Sequence, residues 1–213
     1  LKNNKRSIKL TKKLVHEWLG NEKVDYGKKE KKDQVGTVTG LAYTSFGGDI
    51  LQIEATRFTG KGRLVLTGQL GDVMKESASI ALDYVRTHAN EFKIDPKLFE
   101  ENDVHIHVPE GAVPKDGPSA GVTMTTALVS CFSNIPVKAN LAMTGEVTLR
   151  GNVLPIGGLK EKSLAAHRSG IDTILIPKEN VKDLDDVPQE VKDAVTFIPC
   201  SNVSQVLHNA LVK

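Results

Sequence analysis

An α/β fold of the α+β kind, a mixed sheet with flanking helices, is what the 213-residue sequence predicts. Three observations predict it. Beyond residue 33 the chain is dense in short β-like runs and helix-period runs, without the strict alternation of a purely parallel sheet. Several runs alternate apolar and polar residues, as a strand with one covered face does. Aromatics make up only 5% of the chain, so the core must rest on Val, Ile, Leu and Ala.

The elements follow in order. Residues 10–19 repeat apolar side chains at Leu10, Leu14, Val15, Trp18 and Leu19, a short amphipathic helix stopped by Gly20. Residues 21–33 are polar and Lys-rich and read as a linker. The folded unit spans 34–213 and opens with strands at 35–44 and 50–58 around a turn at Phe46-Gly47-Gly48-Asp49. A third strand covers 62–69. Residues 72–92 place Val73, Ser77, Ile80, Tyr84, Val85, His88 and Phe92 at helical spacing. Val104, Ile106 and Val108 alternate with His105 and His107 in a half-buried strand. A mostly apolar helix follows at 118–132. Two strands within 141–156 turn near Arg150-Gly151-Asn152. The chain then predicts a helix at 159–169 stopped by Gly170, strands at 173–176 and 194–198, and a closing helix at 203–211.

Length suits one good-sized domain, or a domain plus a fragment of another. No run of 18 apolar residues is present, so no membrane partner is expected. The N-terminus lacks the apolar stretch of a signal peptide. The chain begins without Met and is expected to be a piece of a longer one. Cys131 and Cys200 have no metal-type spacing and read as buried free thiols suited to a reducing cytosol. Net charge is +2 but uneven, with +6 over residues 1–35 and −4 over the rest. A basic arm can bind nucleic acid or anionic lipid, yet neither aromatic interleaving nor a groove-binding motif accompanies it. It reads as a solvated connector.

The most informative stretch is Pro114-Lys115-Asp116-Gly117-Pro118-Ser119-Ala120-Gly121. It sets a hydroxyl at the start of an apolar helix, where unpaired amides and the helix dipole favour negative charge. An oxyanion formed by attack of Ser119 on a carbonyl would be held there. Gly117, Ala120 and Gly121 are small enough for a substrate backbone to approach. Pro118 has no N–H, so the donors must come from Ser119 or from residues before Pro118. Taken alone, Ser119 equally reads as a helix cap. Small-residue loops before helices also cradle phosphates, but no G-x-x-x-x-G-K-[ST] loop is present.

A nucleophilic serine needs a base. His105 and His107 lead toward Ser119, but strand alternation turns both to the less apolar face, with no evident acidic partner. Lysine is the alternative, because burial can lower its pKa enough to leave it neutral. On the helix at 159–169, Lys162 falls among Ala165, Ala166 and Ser169, on the small apolar side; Lys160 falls beside His167. A lysine at a helix edge can also simply snorkel to solvent.

With that loop and Gly157-Gly158-Leu159-Lys160-Glu161-Lys162 both present, the sequence resembles the proteolytic domain of Lon, the ATP-dependent protease of the Ser-Lys class, from Gln34 to the C-terminus. Further matching blocks are Gln34-Val35-Gly36, Thr67-Gly68-Gln69-Leu70-Gly71, His107-Val108-Pro109-Glu110-Gly111 and Met143-Thr144-Gly145-Glu146. The resemblance implies Ser119 as nucleophile, Lys162 as general base and Thr144 as a hydroxyl that orients the lysine. It also implies that Asp116 influences the conformation of the active site. Residues 1–20 resemble the tail of the preceding ATPase helical subdomain.

By the same resemblance the full-length protein is a hexameric ring in the cytosol that degrades misfolded, damaged and short-lived regulatory proteins in quality control and stress. ATP and Mg are expected in the ATPase module and no cofactor in this stretch; DNA is a partner that the sequence does not support. Two other readings stand beside it: a catalytically silent Lon-like scaffold domain, which the presence of both Ser119 and Lys162 opposes, and a small-molecule kinase with a related Gly/Ser loop.

Overall fold

A computed structural model describes residues 8–20, 32–44, 47–109 and 113–212. Thr11 caps the first helix, α1 (Lys12–Leu19), by accepting from the amide of Leu14, and Gly20 ends it. None of the residues of α1 is buried, so its apolar stripe faces solvent. The linker expected at 21–33 lies almost wholly outside the described residues, as does Phe46.

Seven strands form one mixed sheet. They are β1 (Thr37–Thr44), β2 (Gly47–Thr59), β3 (Leu64–Thr67), β4 (Asn102–His107), β5 (Leu141–Met143), β8 (Thr173–Pro177) and β9 (Thr196–Cys200), in the order β3-β4-β2-β1-β5-β8-β9. β1 and β2 pair antiparallel from Thr37↔Glu54 to Thr44↔Gly47, so Gly47, Gly48 and Asp49 belong to β2 and not to the turn the sequence suggested. β2 and β4 are also antiparallel, and the remaining neighbours are parallel. Two short strands, β6 (Glu146–Val147) and β7 (Val153–Leu154), pair separately, so the 141–156 stretch holds three strands where two were expected.

Period-2 alternation gives the sheet two apolar faces. Val38, Ile53, Val104, Ile106, Met143 and Leu175 face one way, under α2 (Asp72–Thr87), α4 (Gly121–Ser133) and α7 (Val203–Ala210). Leu41, Ile50, Ala142, Ile174 and Ile176 face the other, under α5 (Leu159–Arg168) and α6 (Gln189–Ala194). Helix α4 carries twelve buried residues, from Gly121 to Phe132, because it is packed between the sheet and α2. In β4, Val104 and Ile106 are buried while His105 and His107 are half-buried and share the hydroxyl of Thr67, as the alternation predicted.

Some expectations need correction. α2 stops at Thr87, and its buried face centres on Met74, Ala78, Ala81, Leu82 and Val85, with Val73 exposed. The small alanines were the reason: they let α2 approach closely, yet weigh little in an apolar pattern. The short α3 (Leu98–Glu101), α6 and the 3-10 segment Lys178–Asp186 carry too little apolar periodicity to be read from sequence. β9 starts at Thr196, since α6 occupies the residues through Ala194. Both cysteines are free and buried, and burial pushes each thiol up to about 11.

Candidate active site

Ser119 sits in the 3-10 turn Pro118–Ala120 that leads into α4. Two reciprocal bonds stitch this turn to the end of β5: the amide of Gly145 donates to the carbonyl of Ser119 at 2.9 Å, and the amide of Val122 donates to the carbonyl of Gly145 at 3.0 Å. The approach is so close that a Cβ on Gly121 would stand 2.8 Å from the amide nitrogen of Val147. That close approach gives Gly121 a packing reason for lacking a side chain.

Thr144 follows β5 directly and is buried, its amide donating to Leu175 on β8. Its hydroxyl donates to the carbonyl of Ser119 at 3.4 Å. From the opposite face of the sheet, α5 brings in Lys162, whose own amide closes the first helical turn on Gly158. Lys162 Nζ lies 3.1 Å from Ser119 Oγ and 3.0 Å from Thr144 Oγ1. The side chain is only 2% exposed, and burial lowers its pKa to about 8. Among the described residues it makes no ion pair, so nothing holds the charge in place.

The loop before Ser119 is tied to α2. Asp116 Oδ1 accepts from the amide of Met74 in the first turn of α2 at 2.9 Å and from the amide of Gly117 at 2.8 Å. The Gly117 amide is therefore already engaged, and Pro118 has none. Of the donors the sequence allowed for an oxyanion, Ser119 remains, joined by Ala120, since amides that head a helical turn have no acceptor within it. Gly117 has φ +117, a left-handed backbone that lets the chain swing from Asp116 into Pro118.

A cleft of about 470 Å³ opens over Ser119 and Lys162. Leu41, Tyr43, Ile50, Met74, Val113 and Ile156 give it an apolar wall. The structure thus brings together Ser119, Lys162 and Thr144, with Asp116 and Gly117 on the rim, and leaves His105 and His107 out of the cleft lining. The Ala120 amide was not among the donors read from sequence, and the apolar wall was not singled out because it comes from strands and loops far apart in the chain. Thr123, one turn after Ser119, is the buried side chain whose hydroxyl has no partner among the described residues. Thr125 and Thr126 donate back to the carbonyls four residues earlier. The corresponding acceptor for Thr123 is the Ser119 carbonyl, already taken by Gly145 and Thr144.

Among the described residues no group of three His, Cys, Asp or Glu side chains could hold a metal ion, and no helix is long and apolar enough to cross a membrane.

Comparison with known proteins adds the family. Residues 9–213 match the Lon protease (S16) C-terminal proteolytic domain. The Lon protease of Brevibacillus choshinensis is 58% identical over 209 residues, which cover 98% of this chain and 27% of that protein. That of Bacillus thuringiensis (strain Al Hakam) is 59% identical over 208 residues, 98% of this chain and 26% of the relative. Lon protease 1 of Myxococcus xanthus is 56% identical over 212 residues, 100% of this chain and 26% of the relative. The chain therefore spans about a quarter of the length of these relatives, and it belongs to the Lon protease C-terminal proteolytic domain family.

Proposed function

We propose that this chain is a serine endopeptidase in which Ser119 is the nucleophile and Lys162 the general base. The observation that carries the reading is a buried lysine without an ion-pair partner among the described residues, its amine 3.1 Å from a serine hydroxyl that opens on a cleft. A neutral amine has two N–H donors and one lone pair. One N–H donates to Thr144 Oγ1, which aims the lone pair at the Ser119 hydroxyl.

Ser119 Oγ attacks the peptide carbonyl while its proton passes to Lys162 Nζ. The tetrahedral oxyanion is held by the amides of Ser119 and Ala120 at the head of the turn. As the C–N bond breaks, Lys162 returns the proton to the leaving amine and an acyl-enzyme remains on Ser119. Water then gives a proton to Lys162 as it attacks the ester, and Lys162 passes that proton to Ser119 Oγ as the acid product leaves and the free serine hydroxyl is restored. The apolar cleft wall keeps the lysine dry between these transfers.

Hydrolysis of a fluorogenic peptide tests this. Ser119→Ala and Lys162→Gln are expected to lose at least about 1,000-fold in kcat while staying folded. Full activity in either variant contradicts the assignment. Wild-type activity should rise with pH through a midpoint near 8, since the base must be neutral. A silent scaffold would show no hydrolysis, and a kinase would bind ATP in a calorimeter.

We infer the wider role from the likeness to the family, and each part of it is a proposal for the full-length protein. ATP and Mg act in an ATPase module preceding this stretch, residues 1–20 are the tail of its helical subdomain and residues 21–33 the linker. The full-length protein works in the cytoplasm as a hexameric ring on misfolded, damaged and short-lived regulatory proteins.

A further inference from the structure

The hairpin of β1 and β2 meets α5 without clearance. A Cβ on Gly48 would lie 2.0 Å from the carbonyl oxygen of Glu161 and 3.0 Å from the amide nitrogen of Lys162. Gly48 is not among the glycines of positive φ, so its backbone would accept alanine; only the space forbids a side chain. A second contact comes from the last turn of α5, where Arg168 Nη2 donates to the carbonyl of the same Gly48 at 2.8 Å. A third lies at the helix start, where a Cβ on Gly158 would come within 3.0 Å of the Tyr43 ring. One short piece of hairpin therefore bears on the beginning, middle and end of the helix that carries Lys162. The same piece supplies Leu41, Tyr43 and Ile50 to the cleft wall.

We propose that Gly48 and Arg168 are positioning residues for peptide hydrolysis: they set the height of α5 over the sheet so that Lys162 Nζ reaches Ser119 Oγ and Thr144 Oγ1 together. The proposal rests on the reading of Lys162 as the base. The geometry leaves little slack. Lys162 bonds its two partners at 3.1 and 3.0 Å, and hydrogen bonds weaken steeply beyond such lengths. Relieving a 2.0 Å contact to the 3.0 Å that real side chains respect needs a shift of about 1 Å. A displacement of that size in a catalytic group costs about 100-fold in rate. It would also let water reach the amine, restoring part of the solvation that burial removed. Arg168 acts from the other side, holding the helix down by its bond to the Gly48 carbonyl.

The test uses the 213-residue chain with 13C-labelled lysine Cε, the Lys162 resonance being assigned by its loss in Lys162→Gln. In Gly48→Ala, Lys162 is expected to titrate at clearly higher pH than in wild type. Peptide kcat should fall about 100-fold with KM changed less than about threefold. Arg168→Gln should move both quantities in the same direction by less, and Arg168→Lys, which keeps a donor, should recover part of the loss. An unchanged Lys162 titration in folded Gly48→Ala and Arg168→Gln overturns the proposal. If Gly48→Ala does not fold, Arg168→Gln decides alone by the same titration. A wild-type chain with a depressed Lys162 titration but no hydrolysis would overturn the peptidase reading instead, and the titrations of the variants would still judge the positioning.

Discussion

Lys162 is an expensive residue to keep. It is 2% exposed and makes no ion pair among the described residues, and burial lowers its pKa to about 8. An unfolded lysine titrates near 10.4, so between about 8 and 10.4 the unfolded chain binds more protons than the folded one. Stability therefore rises with pH across that window, and the whole penalty is present below it. A gap of that size corresponds to about 3 kcal/mol. Lys162→Met fills similar space without charge and should stabilise the fold at pH 7 by about 1–3 kcal/mol, less whatever the bonds to Ser119 and Thr144 return. The gain should shrink toward pH 10. Thermal melts of both proteins at the two pH values measure it, and a variant less stable than wild type at pH 7 would show that the buried amine costs nothing. In the proposed mechanism the same penalty supplies the chemistry, because a base that is half neutral near pH 8 is available at working pH.

At the level of elements, the loop from Lys115 to Gly117 joins the turn that carries Ser119 to α2. Asp116 caps α2 from outside the helix, which has Gly71 at its N-cap and no side-chain cap of its own. Asp116→Ala removes that cap and frees the Gly117 amide. It should cost about 1 kcal/mol of stability, whereas Asp116→Asn, which keeps an acceptor oxygen, should cost less. Urea denaturation with a shared m-value separates the two; equal stability of Asp116→Ala and wild type would mean that the loop is not anchored by this bond.

How much of this was legible depends on range. That Lys162 lies on the small apolar side could be read from α5 alone, because it requires only that Ala165 and Ala166 lie on the same side of one helix; that it stays buried instead of snorkelling could not. The alternation of β4 and the apolar α4 were equally local. The Asp116 cap, the bond between the Ser119 carbonyl and Gly145 and the clash beneath Gly48 were not legible, since each joins segments 26 to 113 residues apart whose register only tertiary packing sets. α6 and the acidic 3-10 segment stayed hidden because six and nine residues cannot establish a period.

The whole molecule holds a cleft but spans only about a quarter of the relatives it matches. On the proposed peptidase reading, a cleft of about 470 Å³ takes an extended chain, so a folded substrate must first open. A typical domain is stable by about 5–15 kcal/mol, which leaves a small open population to be cut. If, as proposed, ATP acts in a separate module, the rate on a folded substrate should equal the rate on the unfolded chain multiplied by that population, provided reclosing outpaces cleavage. A series of destabilised variants of one substrate domain should then show cleavage falling about tenfold for each 1.4 kcal/mol of added substrate stability, reaching the free-peptide rate only for a permanently unfolded member. Adding ATP and Mg to this chain should change none of these rates. Gel-based initial rates across the series measure both statements. A flat dependence on substrate stability, or stimulation by ATP, would mean that these 213 residues themselves unfold substrates, and the division between cleft and motor would have to be redrawn.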